Sequence, residues 1–476
     1  MNPDWQPAAA ESEINRSSRR TAWQAGHLDE PTRHLLAEDA RYFLHQSVST
    51  PCLSAIRRAE GVWIEDFTGR RTLDFHGNNA HHLGYSHPRL IAAIKRQLDD
   101  LSFAPRRFTC EPAIDLARTL VEISPPGLDK VLLATGGSDA VEIALKIARA
   151  ATGRFKTVSF WDAFHGAGFG AASVGGEAQF RSGPIGPLLP GTEHVPPFAC
   201  YRCPYGYPCD AGGQPRLDLC RLTCARLVRY VLEREGDVAA VIAEPARATP
   251  YIPPLGFWAM VQQACHEHGT LLIFDEIPTG LGKTGRLFAC EHDGVTPDLL
   301  VLGKALGGGV LPIAAVLARA DLDVGGAYAF GHYTHEKNPV TCRAALTTLE
   351  IIEDEGLVEN ARRQGERALQ RLREMQARHP VIGDVRGRGL LMGVELVNDR
   401  ESKTPANDAA EAVLYQALSR GLSFKISLGN VLTLTPPLII TAAEMDKALD
   451  ILEESIAEVA GLTTPQPSLA LTSSPH

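Results

Sequence analysis

Between about residues 130 and 315 the chain alternates short apolar runs with amphipathic stretches of helical period. VLLAT leads into SDAVEIALKIARAA; TVSFW and VAAVIAE follow, then FWAMVQQACHEHG, LLIFDE and LLVLGKA. The short runs read as strands covered on both faces, and their alternation with helices predicts right-handed βαβ units. The expected large domain is therefore α/β, a mostly parallel sheet flanked by helices, with ligands beyond the carboxyl ends of the strands.

After Asn338 the pattern changes to one long amphipathic run, VTCRAALTTLEIIEDEGLVENARRQGERALQRLREMQARH. Strands around GLLMGVELV and NVLTLTP follow, with helices near DAAEAVLYQAL and AAEMDKALDILEESI. This predicts a smaller α/β domain over residues 338–461, joined by the segment 31–75 that contains GVWIEDFTGRRTLDF, while the large domain spans 76–337. Residues 1–30 and 462–476 are polar and aperiodic or rich in Ser, Thr and Pro, and are expected to be flexible tails. The substrate site is expected between the two domains.

With 44% hydrophobic and 22% charged residues, the chain is excluded from the disordered and fibrous classes. A net charge of -9 weighs against a nucleic-acid partner, since such proteins cluster Lys and Arg. No apolar run reaches the roughly 18 residues that span a bilayer, and no hydrophobic signal core opens the sequence, so a cytoplasmic protein with no membrane partner is expected. Ten unevenly placed cysteines do not read as a secreted disulfide framework.

Three segments carry candidate chemistry. In VLGKALGGGVLPIAA, Lys304 follows a strand and precedes glycines that allow close approach, which suits an imine-forming amine. In LLIFDE, Asp275 ends a buried strand, where a carboxylate can pair with a protonated pyridine nitrogen. In ATGGSDAVEIALKIARAA, a Gly-Gly-Ser turn starts a helix whose free N–H groups and Ser138 hydroxyl can hold a phosphate. Each has a bland alternative: a loop lysine, a helix cap and a structural turn. Their joint occurrence, with Phe164-His165-Gly166 after the next strand ready to stack a flat ring, points to pyridoxal 5′-phosphate (PLP).

On these motifs the chain resembles the class III (ornithine/GABA-type) aminotransferase family of fold-type I PLP enzymes, over about residues 45 to 460. The resemblance implies that Lys304 forms the Schiff base and moves the proton, that Asp275 holds the pyridine nitrogen, and that Gly137 and Ser138 cradle the phosphate. It further implies that Phe164 stacks on the ring, with His165 and Ile277 also at the cofactor. Thr334 in GHYTHEKNP matches a threonine that reaches the phosphate from a second subunit, which implies a homodimer with shared active sites; pairing of dimers into tetramers stays open.

Departures from the family pattern bear on the substrate. Members that use glutamate carry an arginine shortly before the final Pro-Pro and a glutamate soon after the Glu-Pro motif; this chain has Thr433 and Thr249 there. Losing both together removes the pair without stranding a charge. Pro278 stands where relatives usually carry a glutamine. Arg247 is the charge gained, and its fork suits a phosphonate or carboxylate unless it lies on the surface. Lys425 and His81, in the His81-His82 pair, are weaker candidates for the same pocket. With FHGNN and DEIPTGLGKTG, these features look most like family members that release ammonia from small hydroxy-amino phosphonates by β-elimination. A transaminase passing the amine to pyruvate or another keto acid is the alternative, and a noncatalytic PLP-binding relative is disfavoured by the retained Lys304 and Asp275.

FACYRCPYGYPCD and LDLCRLTCARL crowd five cysteines together. The spacing of Cys200, Cys203, Cys220 and Cys224 is one that four-ligand zinc sites tolerate. The expected reading is a loop insertion without a metal, with Cys220 and Cys224 one turn apart on the helix that follows.

Overall fold

A computed structural model describes residues 17–46, 49–186, 188–210 and 213–463. The run VAAVIA forms the strand Val238–Ala243, with all six side chains buried, and such a strand needs cover on both faces. It finds that cover inside a seven-stranded sheet. In spatial order the strands are Lys130–Ala134, Ala314–Ala318, Leu299–Leu302, Leu271–Asp275, Val238–Ala243, Lys156–Phe160 and Thr192–Val195. The last five run parallel. Ala314–Ala318 is antiparallel to both neighbours, because a short turn and no crossover helix joins it to Leu299–Leu302.

The helix Gly137–Thr152 buries Ala140, Ile143, Ala144 and Ile147 at helical spacing and lies on this sheet. It stops at Gly153, whose φ of +66° is the left-handed conformation glycine adopts most easily. The long amphipathic run after Asn338 is two helices, Pro339–Asp354 and Leu357–Arg378. They part at Gly356, again left-handed at φ +61°.

Two smaller sheets complete the fold. Ile382–Arg388, Leu391–Leu396, Val431–Leu434 and Lys425–Ser427 form one, antiparallel throughout. Ile56–Glu60, Trp63–Asp66 and Arg71–Asp74 form the other, closed by Leu422–Ser423 from the far end of the chain. Lys283 ties large and small parts together: fully buried, its Nζ donates to the Pro436 carbonyl at 2.7 Å.

The N-terminal segment departs from the expected tail. Ser18–His27 is a helix, capped by the Ser17 side chain, and its Trp23 is buried against Tyr415 with Nε1 donating to Ser419 at 3.1 Å. Trp23 is the one large apolar residue within that helix, joined in the cluster by Leu28 just past its end, too sparse a signal for periodicity to register. Residues 1–16 and 464–476, where tails were also expected, lie outside the described residues. Among the described residues no helix is long and apolar enough to cross a membrane.

Candidate active site

The carboxyl ends of three parallel strands and the start of one helix line a common cavity of about 490 Å³. Leu271–Asp275 delivers Asp275, Val238–Ala243 is followed by Glu244, and Leu299–Leu302 is followed by Lys304. The helix Gly137–Thr152 contributes Gly137 and Ser138. Across the cavity stand Ser423, Lys425 and Thr433 from the smaller sheets, and His76, Asn78 and Asn79 from the turn after Arg71–Asp74. A larger cavity of about 1040 Å³ lies against Cys200, Arg386 and Glu395 and is lined by none of these residues. Its half-buried Arg386 is already committed to Asp384 and Glu395.

Lys304 sits in the left-handed region at φ +46°, sparsely populated by side chains other than glycine and so imposed by the surrounding turn. Asp275 is 1% exposed. Its Oδ1 accepts the Ile277 N–H at 3.0 Å, and its Oδ2 lies 2.8 Å from His165 Nδ1, a pairing in which the imidazole donates. A carboxylate so held keeps its orientation and its acceptor character.

The residues present fit PLP. Gly136-Gly137-Ser138 opens a sixteen-residue helix, whose first N–H groups favour a phosphate. Two glycines keep that region clear: a Cβ on Gly137 would stand 2.9 Å from Ile277 Cδ1, and one on Gly166 would stand 2.4 Å from Ser138 Oγ. Phe164 lines the same space, its ring 4.6 Å from that of Phe180, and the His165 Nε2 that faces no protein partner is buried beside it.

Gly137, Ser138, Phe164, His165, Asp275, Ile277 and Lys304 thus converge, and Arg247 and Lys425 line the same cavity. Arg247 is not a surface arginine: it is 4% exposed, Nη2 donates to Glu177 Oε1, and Nε lies 3.9 Å from Glu244 Oε1. Burial opposes its charge, and Glu177 and Glu244 outweigh that and hold its pKa above the ordinary value. Burial likewise pushes the Glu244 carboxyl up, against the pull of Arg247. Thr249 and Thr433 line the cavity too; Thr433 donates to Ser427 at 2.9 Å. Thr334 is exposed and does not line this chain's own cavity.

His81 is a correction. It does not line the cavity but lies behind it, Nε2 3.2 Å from the Asp74 carbonyl, and His76 takes the position facing the pocket. Histidines in FHGNNAHH are too closely spaced for sequence to say which faces inward, because the turn places Gly77, Asn78 and Asn79 at positive φ. Glu177 and Glu244 were missed as well. Glu244 had a signal, since it ends a buried strand as Asp275 does; Glu177 follows two glycines in a segment without periodicity.

The two buried histidines make stability depend on pH. Burial, and then Lys283, lower His81 to about 3 and hold His82 well below its ordinary 6.5. Between pH 6.5 and 3 the unfolded chain therefore binds more protons than the folded one, and acidification through that window costs stability. Tm should fall as pH drops below 6.5, and His81→Gln should flatten the slope between pH 6.5 and 5. A slope identical to wild type would refute the assignment.

All ten cysteines are free. Cys220 and Cys224 are not a turn apart on one helix: Arg221 and Leu222, at φ +46° and +53°, separate the helices Leu217–Cys220 and Thr223–Glu235. Burial raises the Cys200 and Cys224 thiols to about 12. Among the described residues no three His, Cys, Asp or Glu side chains are grouped so as to hold a metal ion.

Comparison with known proteins gives four findings. The family profile for class-III aminotransferases matches residues 45–456. The chain is 45% identical over 457 residues to the (R)-1-hydroxy-2-aminoethylphosphonate ammonia-lyase of Vibrio splendidus, covering 94% of this chain and 95% of that one. It is 38% identical to the leucine/methionine racemase of Thermococcus litoralis, over 84% and 90% of the two chains. Among solved structures, the omega transaminase from Pseudomonas jessenii in complex with PMP superposes with a TM-score of 0.84 at 28% identity, covering 91% of this chain and all of that one.

Proposed function

The chain belongs to the class-III aminotransferase family, and from that premise we propose that it is an ammonia-lyase converting (R)-1-hydroxy-2-aminoethylphosphonate to phosphonoacetaldehyde and ammonia. PLP is the cofactor, and when bound it supplies an electron sink for the charge left on the amine-bearing carbon. Lys304 would hold the cofactor through Nζ and would take the proton from the amine-bearing carbon of the substrate. Asp275, held by His165 and the Ile277 N–H, keeps the ring nitrogen positively charged. Gly137 and Ser138 bind the phosphate, Phe164 stacks on the ring, and Arg247 and Lys425 bind the phosphonate. The neighbouring hydroxyl leaves as water, and a water returns when the resulting enamine hydrolyses to aldehyde and ammonia, so the reaction is redox-neutral.

The observation that carries this reading is the joint one at Thr433, Thr249 and Arg247. All three line the cavity, which supports a pocket with threonines where the resemblance puts an arginine and a glutamate, and with a buried cation elsewhere. Transamination remains the second reading, favoured by the likeness to solved omega transaminases. Incubating enzyme and hydroxyphosphonate without a keto acid separates them. Ammonia release well beyond one turnover is expected; consumption of amine only when a keto acid is added would make the chain a transaminase.

Arg247→Ala should raise KM for the hydroxyphosphonate roughly thirtyfold, ~2 kcal/mol of lost charge-assisted hydrogen bonding. An unchanged KM would remove Arg247 from the substrate site. The reading includes a homodimer in which the exposed Thr334 reaches the phosphate bound by the partner subunit, and a place in phosphonate breakdown. Ten cysteines without a disulfide suit a cytoplasmic enzyme.

A further inference from the structure

Arg247 does not wait in the cavity as an open anion clamp. Its Nη2 is occupied by Glu177, while Nε and Nη1 have no hydrogen-bond partner and are closed off from solvent. An oxyanion that pairs with the guanidinium at Nη2 must therefore take the place of Glu177. The backbone at Glu177 is held there: the residue is 2% exposed, and its backbone N–H and that of Gly176 both donate to the Ala163 carbonyl, beside Phe164. Gly176 has no room for a side chain, since a Cβ would stand 2.3 Å from the Phe160 carbonyl oxygen. The backbone thus delivers one carboxylate to one face of the cavity and one guanidinium to meet it.

We propose that Glu177 sets the anion preference of the pocket, acting as a built-in carboxylate that substrate must displace from Arg247. A substrate carboxylate taking that edge exchanges one carboxylate for another and gains little. A phosphonate brings a third oxygen and a second negative charge, with Lys425 lining the same cavity, and so outcompetes Glu177. The pair therefore selects phosphonates against carboxylates of the same shape, which is specificity by making the wrong ligand displace an equal. This deepens the lyase reading and rests on it for the identity of the substrate, but the anion preference is measurable without turnover.

PLP-loaded wild type and Glu177→Gln are titrated calorimetrically with (R)-1-hydroxyethylphosphonate and with lactate, its carboxylate counterpart; neither carries an amine, so neither reacts. Wild type should bind the phosphonate at least about tenfold more tightly, and Glu177→Gln should reduce that preference about tenfold, mainly by tighter lactate binding. Glu177→Asp, which keeps the charge, should retain the preference. If Glu177→Gln does not fold, Glu177→Ala carries the same expectation. An unchanged ratio, or equal weakening of both ligands, overturns the proposal and leaves Glu177 a structural partner of Arg247. Ammonia release by wild type, measured alongside, keeps the two ideas separate. Its presence with an unchanged ratio defeats only the role of Glu177, and its absence with the expected change in ratio defeats only the lyase reading.

Discussion

Lys304→Ala is expected to lower turnover at least about a thousandfold, because on the proposed assignment it removes both the attachment of the cofactor and the base at the reacting carbon. The variant should still take up PLP, since Gly137, Ser138, Phe164 and Asp275 are untouched, but without the near-visible absorption of lysine-linked cofactor. Position explains why no other group stands in. Lys304 is carried past the end of the strand Leu299–Leu302 on a left-handed residue, beside the strand that presents Asp275. Lys425 is the other lysine on the cavity wall, and it comes from the small sheet on the opposite side. A Lys304→Ala protein with an unchanged spectrum would move the attachment to Lys425.

Asp275→Asn is expected to cost on the order of a hundred- to a thousandfold in kcat, the scale seen when one preorganised electrostatic partner is removed. Asparagine is nearly isosteric, and its carbonyl can still accept the Ile277 N–H. It cannot carry the negative charge that keeps a proton on the ring nitrogen, and its amide opposes the imidazole donor of His165. His165→Asn leaves the carboxylate in place and should cost about tenfold, as loss of one charge-assisted hydrogen bond. Near-wild-type activity in Asp275→Asn would end the pairing of this carboxylate with the ring nitrogen.

The convergence of the residues proposed for the cofactor was legible because they sit at the ends of regular elements. Asp275 and Lys304 terminate apolar runs, and Gly137-Ser138 opens a strongly periodic helix, so strand and helix patterns alone bring them to one edge of the sheet. The antiparallel strand Ala314–Ala318 escaped because the pattern of strand and helix that marks a crossover is missing there. The substrate end was harder. Glu177 reaches Arg247 from 70 residues away through an aperiodic loop, and no local pattern encodes such a pairing. His81 and His76 exchange places because three consecutive residues between them adopt positive φ, which alternation and helical period do not describe.

Every assignment in the pocket depends on one cofactor being attached at Lys304 with Asp275 at its ring. Borohydride trapping of the PLP-loaded enzyme, followed by peptide mass mapping, tests that attachment directly. The pyridoxyl mass should appear stoichiometrically on the peptide containing Lys304 and vanish in Lys304→Ala. Its appearance on Lys425, Lys283 or any other lysine of the wild-type chain would contradict the account.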